Sequence, residues 1–294
     1  MRDSTTPPAW ERPTKAILSF ASCDPERRLG LPSGRFTTPS AMSSLLLGVV
    51  LMAALYGGAW TLRGTSAGGA AWTLLTGYSG IPIPIALLTC WSAAILIFKS
   101  FKISAQRAAL RLRFMPEESG FVLTVGTADQ VMGTIDAAVD EPRQFLLLNR
   151  VLDALRSIRN IGRIGDIDEM LDSAAEADEA AMDSGYTILR GFIWAIPVLG
   201  FLGTIIGLTE AISQFGGVLN AGDGSVDILT SQLTLVLAGL STAFVTTGEG
   251  LVAALLIYLA QTFIRRADEL LLDDCRQYAR RNVVSRVRVA GNES

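Results

Sequence analysis

From Leu229 to Ile264 the chain is apolar almost without interruption, and the run stops at Arg265 and Arg266. At about 1.5 Å per residue such a helix is ~50 Å long, more than the ~30 Å hydrocarbon core of a bilayer. It is therefore expected to span a membrane and project at one end. Three more runs are long enough to cross: Met42–Trp60, Ile81–Phe98 and Gly191–Ile212. Half of the 294 residues are hydrophobic, 18% are charged and the mean hydropathy is +0.39. The fold class that follows is an all-α integral membrane protein of about four transmembrane helices, with a helical segment between spans 2 and 3. A cleaved signal peptide is the competing reading of residues 42–60.

Loop charges set the orientation. Basic residues crowd the arm before the first span, the segment after the second (Lys99, Lys102, Arg107, Arg111, Arg113) and the tail after the fourth. Loops 61–80 and 213–230 hold only Arg63 between them. The positive-inside rule then puts both termini and residues 99–190 in the cytoplasm. The expected organisation is a disordered basic arm over 1–41, two spans over 42–98, a cytoplasmic helical segment over 99–190, two spans over 191–264, and a cytoplasmic helix and tail over 265–294.

Within 99–190, Asp140 with Pro142 signals a helix start. Phe145, Leu148, Val151, Leu152, Leu155 and Ile158 then fall on one helical face. Asp166 with Glu169 has the form of a capping box opening the next helix, whose later part, AAEADEAAMD, reads as a solvated acidic face. FVLTVG (Phe121–Gly126) is ambiguous between strand and helix.

Soluble-enzyme chemistry has little to stand on. The chain has no histidine, which removes the commonest general base and metal ligand. Cys23, Cys90 and Cys275 are widely separated and lack metal-ligand or redox spacing. No phosphate loop, nucleophile elbow or nucleic-acid motif is present. No cofactor, metal or nucleic-acid partner is implied, and the spans lack the paired aspartates of an intramembrane protease.

The last two spans carry the informative residues. Helices in lipid associate through small residues that let backbones approach. Gly200, Gly203 and Gly207 follow Pro197 in the third span; Gly239, Ala243, Thr246, Gly250 and Ala253 recur at steps of four and three in the fourth. Both present a smooth packing face for a bundle or oligomer. At about 100° per residue, Thr242, Thr246 and Glu249 share one stripe of the fourth helix, and Thr204 centres a face of the third. Glu249 lies ~24 Å up the helix from Arg265, deep in the expected hydrocarbon. A carboxylate there normally faces protein or water. Two roles fit: a structural Glu hydrogen-bonded to threonines, or a proton- or cation-binding point on a polar path. Glu210 points away from Thr204, near the aqueous boundary.

IPVLGFLGTIIGL (Ile196–Leu208) and GLSTAFVTTGEGLVAALLIYL (Gly239–Leu259) resemble the two pore helices of the MotA/TolQ/ExbB proton channel family. The shared features are Pro before a Gly-rich LGxxGTxxG block, a short outer loop, and a small-residue helix with Thr and a Gly-Leu-x-Ala-Ala ending. The resemblance implies an inner-membrane homo-oligomer, a pentamer in this family, around the single spans of an ExbD/TolR/MotB-like partner dimer. Proton-motive force would drive an envelope process through it. Thr204 and Thr247 correspond to the family threonines, and the essential Asp belongs to the partner. Thr242 stands where ExbB and TolQ members carry Glu, so Glu249, two turns on, is a candidate displaced carboxylate. The alternative is a non-conducting membrane scaffold of the same architecture.

Overall fold

A computed structural model describes residues 18–34, 36–78, 80–112, 123–160, 164–220 and 226–286. An apolar chain in lipid must satisfy every peptide group internally, which favours continuous helices. Four helices among the described residues are long and apolar enough to cross a membrane, and the protein is an all-α membrane protein. The described residues divide into two units, one drawn from 41–97 and 186–263 and the other from 18–40, 98–185 and 264–286.

The apolar unit contains α3 (Ala41–Thr61), α4 (Ser66–Thr76), the first part of α5 (Pro82–Leu110), α9 (Thr187–Asn220) and the first part of α10 (Val226–Asn282). α3 meets α5 where Gly48 leaves no room for a side chain: a Cβ would stand 2.8 Å from the Trp91 Cα. Trp91 in turn donates its indole N–H to Ser44 Oγ (3.2 Å) and packs on Phe192 of α9, ring centroids 4.8 Å apart. These contacts tie three of the apolar helices together. The loop after α3 contains a helix that apolar runs alone do not reveal. Thr65 caps α4 by accepting from Gly68 N–H (3.1 Å), as an N-cap hydroxyl does, and Leu75 then packs with Ala59 and Ala86.

The second unit has a core of its own. Its elements are β1 (Leu18–Ser19), α1 (Phe20–Cys23), α2 (Pro25–Arg28), α6 (Val125–Ala138), β2 (Val139–Asp140), α7 (Leu146–Asn160), α8 (Ile164–Ser184) and the ends of α5 and α10. Phe145, Leu148, Val151, Leu152, Leu155 and Ile158 are all buried, so the spacing in the sequence marks a real core face. Ile167 and Leu171 of α8 and Leu271, Cys275 and Ala279 of α10 join them. The opposite side of α8 is held by charge: Asp168 and Asp172 pair with Arg280, Asp172 also with Arg276 (2.8 Å), and Asp183 with Arg265 (3.1 Å). Asp178 takes the Nε of buried Arg150 (2.7 Å).

Several local expectations change. α8 already runs from Ile164, so Asp166 sits in its first turn and is not its cap. Of FVLTVG, Phe121 and Val122 lie outside the described residues. Leu123 donates its N–H to Arg286 O (2.8 Å), and Thr124 caps α6. The largest difference is the arm. Residues 1–17 lie outside the described residues, but 18–34 and 36–40 are built into the second unit and are not a disordered tail. Leu18 and Ser19 pair in parallel with Val139 and Asp140. Phe20 is buried edge-on against Phe145, centroids 5.4 Å apart.

Candidate functional site: the seam between α9 and α10

Two long helices approach this closely only if side chains are missing at the contact. A Cβ on Gly200 would stand 2.8 Å from Thr246 O, and one on Gly203 would stand 2.7 Å from Thr246 Cβ. Further along, a Cβ on Gly207 would stand 2.5 Å from Gly239 O, and one on Gly239 would stand 2.8 Å from Ala211 N. At the other end a Cβ on Gly250 would stand 3.0 Å from Ile196 O. The pairing runs antiparallel, 196/250, 200/246, 207/239. Gly200, Gly203, Gly207, Gly239, Ala243 and Gly250 thus form one seam inside a single chain. Pro197 lies in the interior of α9, nearly three turns past Thr187, where its ring removes one helix hydrogen bond.

The threonines sit in and beside this seam. Thr246 is fully buried, and its hydroxyl lies 2.8 Å from Thr242 O and 3.5 Å from Gly200 O. Thr247 Oγ1 reaches both Gly200 O (3.1 Å) and Ala243 O (3.0 Å), bridging the two helices. Thr242, also buried, donates to Ala238 O (3.0 Å), and half-exposed Thr204 donates to Phe201 O (2.6 Å). The structure therefore joins Thr246 and Thr247 to Gly200, while Thr242 and Thr204 bond within their own helices.

Glu249 stands apart from them. It is half-buried, and its enclosed Oε2 has no hydrogen-bond partner. Its electrostatic neighbour is Tyr56 of α3, whose own hydroxyl donates to Leu75 O (3.2 Å). A phase count on α10 alone groups Glu249 with Thr242 and Thr246, but no hydrogen bond joins it to either. Tyr56 had no signal in the sequence: the phase of one helix does not say which other helix it faces. Glu210 is exposed.

Beyond the seam, α9 and α10 present wide apolar surfaces, among them Phe201, Ile205, Leu208, Phe244, Leu251 and Leu255. Chemically the seam offers a rigid pair of helices, hydroxyls already donating to main-chain carbonyls, and one carboxylate free of those hydroxyls. Among the described residues no cluster of acidic or sulfur ligands could hold a metal. Neither a curated protein nor a solved structure gives a match. A family model does match: MotA/TolQ/ExbB proton channel family, over residues 146–276.

Proposed function

We propose, from the premise that residues 146–276 belong to the MotA/TolQ/ExbB proton channel family, that this chain is the proton-conducting subunit of an energy-transducing complex. It is a multi-pass membrane protein of proton-channel type. The finer reading is a homo-oligomer, with five copies as in the resemblance, around an ExbD/TolR/MotB-like dimer of single-span chains. It would sit in the bacterial inner membrane with both termini and residues 99–190 in the cytoplasm. Proton flow would power an envelope process.

The observation that supports this reading best is the seam itself. Gly200 and Gly203 admit Thr246 and Thr247 so closely that the helix pair is a fixed wall. A fixed wall suits a channel whose moving, titrating carboxylate sits on a partner. Thr204 and Thr247 would contribute polar atoms to that wall, and Glu249 a second ionisable point on this chain.

A non-conducting scaffold is the second reading. Thr242 favours it, because this residue replaces the ExbB/TolQ glutamate and its hydroxyl is bonded to Ala238 O. Reconstitution in liposomes with the co-purifying single-span partner separates the two. A channel gives acid influx on imposing a potential, and influx falls in Thr247→Val. A scaffold gives a stable complex and no influx above empty vesicles.

A further inference from the structure

Ionic side chains cluster where the segment leading into α3 meets the end of α5. Lys102 Nζ lies 2.6 Å from Glu26 Oε2 and 3.6 Å from Asp24 Oδ2, and it donates to Ser33 Oγ (3.1 Å) and Gly34 O (3.0 Å). Glu26 also accepts from the N–H groups of Gly34 (3.1 Å) and Ser40 (2.8 Å). Beside it Lys99 pairs with Asp268 of α10 at 3.3 Å, and Thr37 donates to the same carboxylate at 3.3 Å. Three carboxylates and two ammonium groups are thus buried together, none more than 1% exposed.

Such a cluster is a poor way to gain stability, because desolvation offsets much of the attraction, and one of its documented uses is as a switch. The same segment is bent against its preference. Phe36 is buried at φ 52°, a conformation that costs a non-glycine residue energy and persists only where its surroundings impose it. The strain and the charges lie on one stretch, immediately before Ala41 opens α3.

We propose that residues 18–34 and 36–40 form a releasable strap, locked by Lys102 on Asp24 and Glu26, that fastens the entry to α3 onto α5 and α10. The Lys99–Asp268 pair forms its second fastening through Thr37. Phe20 and the β1–β2 pairing hold the far end, so release at Lys102 frees the strained stretch first. The strap lies in the second unit and stands independently of proton conduction.

The test is trypsin cleavage after Arg28 of the full chain in detergent micelles. Lys102→Met removes the Lys102 charge that Asp24 and Glu26 share, so cleavage should be about tenfold or more faster than in wild type. The triple variant Asp24→Asn/Glu26→Gln/Lys102→Met, with no charge left to strand, should return close to the wild-type rate. Equal cleavage of wild type and Lys102→Met overturns the lock, as does a triple variant cut as fast as the single one. If Lys102→Met does not accumulate, hydrogen exchange of the wild type decides. The Gly34 and Ser40 amides exchanging about tenfold or more faster than those of α7 support a releasable strap; equal protection overturns it.

Discussion

Thr246 occupies the space that a side chain at Gly203 would need. The contact lies within one subunit, so it fixes how α9 and α10 of the same chain meet.

Gly203→Leu should therefore fail at the level of the subunit. Overpacking of this kind costs on the order of 1–3 kcal/mol, and the variant should unfold in detergent at lower temperature than wild type. Gly248→Ala is the control, since a Cβ there meets nothing within 4 Å. A Gly203→Leu chain that melts with the wild type but runs as a smaller assembly on native gels would move the contact to the oligomer interface.

Glu249→Gln keeps the shape and removes the charge. If Glu249 does the work of the glutamate that Thr242 replaces, proton influx through the reconstituted complex should fall by about tenfold or more, an ordinary loss for a proton-transfer group. Unchanged influx would leave Glu249 a structural residue beside Tyr56.

The two kinds of ion pair in the second unit should respond differently to mutation. Arg150 is buried against Asp178, and Arg150→Met should lower the melting temperature clearly, because it strands a carboxylate. Asp172 meets Arg276 and Arg280 in the open, with all three side chains about a third exposed or more. Asp172→Asn should barely shift the melt, and the small shift should vanish in high salt.

Cys275 should be chemically silent. It lies beyond the apolar part of α10 and is 1% exposed, and burial pushes its thiol up to about 12. No appreciable thiolate forms near neutral pH, so maleimide should label Cys23 first in a Cys90→Ala background. Cys275 should label only on unfolding. Fast labelling of Cys275 in the folded chain would contradict its place in the core.

Much of this architecture was legible because local pattern and environment agree. The apolar runs give the four long helices, and the step of three and four in Gly200, Gly203 and Gly207 gives the seam. Phe145 to Ile158 give the core face of α7. What was hidden depends on partners distant in sequence. A stretch rich in Pro, Ser and Thr reads as a tail until Lys102 and Phe145 are known to receive it. Asp178 and Asp183 of the acidic run in α8 read as solvated until Arg150 and Arg265 are placed against them. Thr65 was a local cap signal within reach of sequence reasoning; Tyr56 as the neighbour of Glu249 was not.

The hydroxyls of Thr204, Thr242, Thr246 and Thr247 each point their hydrogen at a main-chain carbonyl. A hydroxyl has one hydrogen and two lone pairs, so what these four still offer is electron density alone. Thr242 and Thr246 are buried, so only part-exposed Thr204 and Thr247 can be approached from outside, and they are met as acceptors. Hydronium or a hydrated cation can be solvated by such a surface, whereas chloride or phosphate finds nothing to bind. If the seam lines a proton path, those oxygens would favour a cation over an anion before any ionised group takes part.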